Sequence, residues 1–141
     1  MDKQLVAQKL ESLRRCIQRV ESRAPEDLET LMTDLDAQDI VALNLTRAVQ
    51  MCVDVGAHWL AEHGEATSPR TMGQVFEGLA MSGVIDDKLA ERMRRSVGFR
   101  NVMVRNYDEV NWEIVFSICK HHLGDFREFA RVFSDLLENG V

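Results

Sequence analysis

The chain has 141 residues, 45% of them apolar and 28% charged, with two prolines and eight glycines; this balance excludes a disordered polymer and fits one domain over 1–141 around a single core. Seventeen Lys and Arg against 23 Asp and Glu leave a formal charge of −6, which excludes a broadly basic nucleic-acid binder, so any contact with phosphate has to be local. Cys16, Cys52 and Cys119 are odd in number and lack CxxC spacing, so they read as reduced core thiols, not as a disulfide framework or a zinc knuckle.

In chain order, MDKQLVAQKLESLRR lacks the apolar run of a signal peptide, and no stretch approaches the roughly 20 apolar residues of a membrane span. No membrane partner and a cytoplasmic location are expected. Val6, Leu10, Leu13, Ile17 and Val20 step by four and three and predict a first helix that ends before Ala24-Pro25. Pro25 can open a short helical turn over APEDLETLM, since a first-turn proline has no N–H to lose. From about Asp34 a longer helix follows, with Val41, Leu45, Ala48, Cys52, Val55 and Trp59 on one stripe. Ile40, Val49, Val53 and Leu60 widen that stripe, which predicts a central helix covered on two sides.

HGEATSPRT, 63–71, reads as a loop. Thr71 with Gln74 forms a capping-box pattern ahead of Met72, Val75, Phe76 and Leu79, a short third helix. After SGVIDD, Asp86 or Asp87 caps a fourth helix through Leu89, Met93 and Val97. A fifth, long helix is predicted from Trp112 through Val115, Phe116, Cys119, Leu123, Phe126, Ala130 and Phe133 to Leu137. No strand pattern, repeat or low-complexity tract interrupts, so the expected fold is all-α, an antiparallel bundle of about five helices.

The candidate site lies at the corner between the last two helices, GFRNVMVRNYDEVNW, 98–112. Met93, Arg100 and Tyr107 are seven apart and share a stripe if the helix continues, which puts a guanidinium where a core residue is due. Arginine keeps its charge, so Arg100 must pair with an acid, reach water or line a cleft; composition alone favours an ion pair. Asn101 and Arg105, four apart, share a neighbouring face. ERMRRSVGFRNVMVR, 91–105, holds five arginines and one acid, a local positive patch able to grip phosphate.

This corner segment resembles the RNxxxHxY motif of the HEPN superfamily, in its HepT-like branch of toxin–antitoxin proteins. RAVQMCVDVGAHWL, SPRTMGQVFEGLAMSGVID and LAERMRRSVGFRNVMV are similar to that branch as well. The resemblance implies a helical homodimer that cleaves an RNA substrate without a metal or other cofactor, in a cleft where two copies of the motif meet. It also implies a partner, an MNT-type nucleotidyltransferase antitoxin, that neutralises the toxin by attaching AMP to Tyr107. Arg100 would orient the scissile phosphate, Asn101 would hydrogen-bond it or fix the corner, and Arg95, Arg100 and Arg105 would bind RNA.

One position departs from the motif: Arg105 stands where the family has histidine. Cleavage by the ribose 2′-OH needs a proton taken up and another delivered, and arginine, with a pKa above about 12, does neither near neutrality. The chain is therefore expected to be a weak or dead nuclease. Either a single His-to-Arg replacement, made so that a toxic protein can be produced, has disabled the site, or the chain is a natural non-catalytic relative; the otherwise intact motif favours the first. The alternatives are a HEPN-type module that binds RNA or nucleotides without cutting, and an interaction-only subunit of a nucleotidyltransferase.

Elsewhere the signals are weaker. His121 and His122 point about 100° apart on a regular helix and cannot share a metal, although one of them could stand in as a proton carrier. His58 and His63 lack HExxH spacing, and no metal site is expected. Asp54, inside the apolar central helix, calls for a cationic partner from another helix, Arg100 being a candidate. Met93 and Met103 read as core, and Gly78, Gly83 and Gly98 as places where helices approach closely.

Overall fold

The computed structural model describes residues 2–63 and 69–139, so 64–68 of the expected loop lie outside the described residues. The elements are α1 (Lys3–Arg23), α2 (Leu28–Thr33), α3 (Leu35–His63), α4 (Met72–Met81), α5 (Asp87–Arg105), a 3₁₀ turn (Tyr107–Glu109), α6 (Trp112–His121) and α7 (Leu123–Glu138), with no strand among the described residues. The fold is all-α, as the sequence predicts.

Local chemistry explains most boundaries. Asp27 accepts the Thr30 N–H at 2.7 Å and starts α2 at Leu28, three residues later than a turn opened by Pro25 would start it. Asp34 closes α2 through its own N–H and caps α3 by accepting the Ala37 N–H at 3.1 Å. Thr71 accepts from Gln74 at 3.2 Å, but the Gln74 side chain returns to the Arg70 N–H at 2.7 Å, so only half of the expected capping box forms. Of the two aspartates before α5 it is Asp86 that caps, through the Leu89 N–H at 2.7 Å. Helix α4 ends where Gly83 takes φ +78°, with Val84 N–H bonded to Leu79 O and Gly83 N–H to Ala80 O, the paired closure that favours a left-handed glycine.

The expected fifth helix is two helices. His122, at φ −124° and ψ 4°, interrupts it between α6 and α7. The apolar spacing runs unbroken through this point because both halves must bury a stripe, but they bury it against different neighbours: α6 packs on α2, whereas α7 lies along α1, α3 and α5. Among the described residues seven α-helices therefore stand where about five were expected.

Helix α3 runs through the centre, touched by α1, α2, α4, α5 and α7. By length and composition it could cross a membrane, with a mean hydropathy of 1.3 in its most apolar window; this corrects the expectation that no stretch comes near that limit. Most of its apolar stripe is taken up by protein instead, Val41, Leu45, Ala48, Cys52 and Val55 all being buried while Leu43 stays exposed. Phe76 meets Phe129 edge-on at 5.8 Å, and Phe129 meets Phe133 at 4.9 Å, all three buried, each ring adding about 1.5–3 kcal/mol by leaving water. Helices α3 and α4 approach closely at Gly56 and Gly78: a Cβ at Gly56 would sit 2.6 Å from Val75, and one at Gly78 would sit 3.0 Å from Leu60. Gly98, expected to serve a close approach, faces nothing within 4 Å. Met93 and Met103 are buried as expected.

Candidate active site

The second half of α5 carries the corner residues, and α3 supplies their partners. Arg100 is half-buried. Its Nη1 donates to Asn101 Oδ1 at 3.1 Å and its Nη2 to Gln50 Oε1 at 3.4 Å, while Nε is buried without a hydrogen-bond partner. Among the described residues it has no carboxylate partner, contrary to the ion pair that composition favoured. The reason lies on α3: Gln50 Nε2 donates to Asp54 Oδ1 at 2.8 Å, and Asp54 Oδ2 takes Lys9 Nζ of α1 at 3.1 Å. Asp54 is thus neutralised by a lysine rather than by Arg100, and Gln50 stands between the carboxylate and the guanidinium. The resulting chain, Lys9–Asp54–Gln50–Arg100–Asn101, fixes Arg100 through neutral amide oxygens and leaves its charge uncompensated.

Past Arg105 the backbone turns sharply. Asn106 sits at φ −151° and ψ 63°, its N–H bonded to Val102 O at 2.8 Å, and Tyr107 falls in the 3₁₀ turn. Tyr107 is therefore off the α5 stripe that its spacing from Met93 and Arg100 suggested. Its ring meets Trp112 edge-on at 5.8 Å, and its hydroxyl donates to Asp39 Oδ1, near the start of α3, at 2.8 Å. Burial first, and then the Asp39 carboxylate, push the phenol well above its ordinary pKa, so the hydroxyl holds its proton in the resting protein. With 37% of the residue exposed, the ring edge still reaches solvent.

Arg105 is exposed and makes no hydrogen bond or ion pair among the described residues. It lies one turn beyond Asn101 on α5. Arg95 is placed differently: it pairs with Glu91 at 2.9 Å and lines a groove of about 620 Å³ between α5 and α6, which Arg100, Asn101, Arg105 and Tyr107 do not line. Structure thus gathers Arg100 with Asn101 and Gln50, ties Tyr107 to α3, and sets Arg95 on the groove side.

The histidines take structural places. His58 Nε2 accepts the Asp2 N–H at 3.1 Å, and His63 stacks on Trp59 at 4.6 Å. His122 approaches Asp125 at 3.7 Å, and neither it nor His121 is hydrogen-bonded to the corner residues. Gln50 and Asp39 escaped the sequence reading. An amide four residues from Asp54 was the available signal for Gln50, since the two share a face of α3; for Asp39 nothing local pointed 68 residues along the chain.

Residues 13–133 match the model of the ribonuclease HepT-like family. The chain belongs to that family. The mRNA nuclease HepT of Shewanella oneidensis is 31% identical over 128 residues, covering 91% of this chain and 95% of that protein. Among solved structures, a tri-AMPylated Shewanella oneidensis HEPN toxin in complex with MNT antitoxin is similar with a TM-score of 0.86 and 30% identity, over 96% of this chain and 98% of that one. A toxin–antitoxin crystal structure with AMP-PNP gives a TM-score of 0.87 at 30% identity, over 94% and 98% of the two chains. The HepT-like family is the one that the corner motif resembles.

Proposed function

We propose that this chain is the toxin of a toxin–antitoxin pair, a HEPN-type endoribonuclease that works as a homodimer in the cytoplasm. In this reading an MNT-type nucleotidyltransferase holds it in check by placing AMP on Tyr107. The observation that carries the proposal is the state of Arg100: a half-buried guanidinium with a free buried Nε, held by amides and, among the described residues, matched to no carboxylate. A cation kept uncompensated at a fixed place is suited to a scissile phosphate, whose charge grows during attack by the 2′-OH. The mRNA nuclease relative and the AMPylated toxin relative support the same reading. Exposed apolar residues beside the site, Leu43 one turn beyond Asp39 and Val104 next to Arg105, fit burial against a second copy.

In this arrangement Arg100 binds and polarises the phosphate, Asn101 orients Arg100, and Arg105 adds a second cation. Arg105 stands where the family motif has histidine and carries no transferable proton near neutrality, so the chain binds RNA but cuts it poorly. AMP on Tyr107 would fill the cleft and set a negative charge against the incoming RNA. Arg105→His is expected to raise RNA cleavage by about 10²–10⁴-fold, the usual contribution of general acid–base catalysis. A purified dimer that carries Arg105→His and cuts no faster than the starting chain would overturn the account of position 105.

A further inference from the structure

The contact between Tyr107 and Asp39 has no part in RNA cleavage as derived above, and its geometry suits a different step. We propose that Asp39 is a catalytic residue for the modification of Tyr107, the base that the target itself supplies when a nucleotidyltransferase transfers AMP to it. The proposal rests on the AMPylation reading above and assigns the proton in that reaction.

Three observations carry it. The Tyr107 hydroxyl donates to Asp39 Oδ1 at 2.8 Å, so proton donor and acceptor are already in contact. The edge-on contact with Trp112 and the 3₁₀ turn fix the ring, and Asp39 sits on α3, so the pair joins two separately anchored elements. Both residues belong to the exposed surface, Tyr107 at 37%, so the pair lies where an enzyme carrying a nucleoside triphosphate can dock.

The chemistry requires such a base. A phenol that keeps its proton is a poor nucleophile, and burial beside a carboxylate makes spontaneous ionisation harder, so the proton has to leave as the new bond forms. An Oη lone pair attacks the α-phosphorus of ATP, and the Oη–H proton passes to Asp39 Oδ1. The bond from the α-phosphorus to the bridging oxygen breaks, and pyrophosphate departs with its electron pair. Asp39, being exposed, then returns the proton to water. The product is a phosphodiester on Tyr107, with no proton left to share with Asp39 and an anion beside a carboxylate, so modification also breaks the tie between the corner and α3.

The test is transfer of label from α-³²P-ATP to the purified chain by its cognate MNT-type nucleotidyltransferase, with Tyr107→Phe as the control for the site. Asp39→Asn keeps an acceptor oxygen of the same shape and removes the basicity. It is expected to lower kcat for transfer of the first AMP by about 10²-fold or more, with KM for ATP and the melting temperature unchanged. Transfer to Asp39→Asn at the unaltered rate, or a loss confined to KM, overturns the role of Asp39 while leaving the modification of Tyr107 standing. Failure to label the unsubstituted chain at Tyr107 overturns the modification reading itself, and this proposal with it.

Discussion

In the first half of α5 every arginine meets a carboxylate: Arg92 pairs with Asp125 at 3.2 Å and Glu128 at 2.9 Å, Arg94 with Glu77 at 3.1 Å, and Arg95 with Glu91 at 2.9 Å. In the second half neither does among the described residues, Arg100 resting on two amide oxygens and Arg105 making no hydrogen bond or ion pair. One helix thus carries both kinds of cation: those whose charge is spent on a carboxylate, across helices for Arg92 and Arg94 and within α5 for Arg95, and those whose charge is kept available. The difference separates them better than composition can, because all five are arginines within 14 residues of one another, 92 to 105. What decides is the partner arriving from elsewhere in the fold, α7 and α4 for Arg92 and Arg94, and Gln50 of α3 for Arg100.

The largest effect belongs to the scaffold that both halves share. Met93→Ala removes a fully buried side chain from α5 and is expected to cost about 2–5 kcal/mol in urea unfolding, taking both kinds of arginine down together. Sharper is Gln50→Glu, which hands Arg100 the carboxylate it lacks and turns it into an arginine of the first kind. Filter binding should then show RNA held about tenfold more weakly, or about 1.4 kcal/mol. Unchanged RNA affinity in that variant would mean that the free charge of Arg100 is not what RNA meets.

Tyr107 offers a third test, because it is the only tyrosine in the chain. Alkaline absorbance titration should place its ionisation above the ordinary value of about 10, and Asp39→Asn should move it back down. The sign for stability follows: the folded state holds this proton more tightly than the unfolded chain, so the contribution is intact below the ordinary tyrosine pKa and fades as pH climbs beyond it. The smallest effect is expected from Arg94→Ala. Both partners of that pair are exposed, so loss of its bond to Glu77 should cost less than about 1 kcal/mol and leave RNA retention unaltered.

Much of the scaffold was legible because helix stripes are local. Val6 to Val20 and Val41 to Trp59 are buried as their spacing requires, and Thr71 and Asp86 cap the helices they precede. The break at His122 was not, since its apolar spacing passes smoothly from α6 to α7 and only the positions of α2 and α1 force a change of direction. At the site, the corner motif was readable as a resemblance and Arg100 as a misplaced charge, but the partner was not. Asp54 looked like the natural mate for an arginine, and only the fold shows Lys9 reaching it first and leaving Gln50 for Arg100. The tie from Tyr107 to Asp39 joins residues 68 apart, beyond any local pattern.

The claim on which the comparison turns is that Arg100 is an available cation rather than a structural one. Its most direct test places Arg100→Ala in the Arg105→His background and measures RNA cleavage beside thermal unfolding. The account predicts that cleavage falls to the level of the unsubstituted chain while the melting temperature hardly moves, because Arg100 gives up no ion pair. Cleavage that persists without Arg100, or a loss matched by general unfolding, would contradict it.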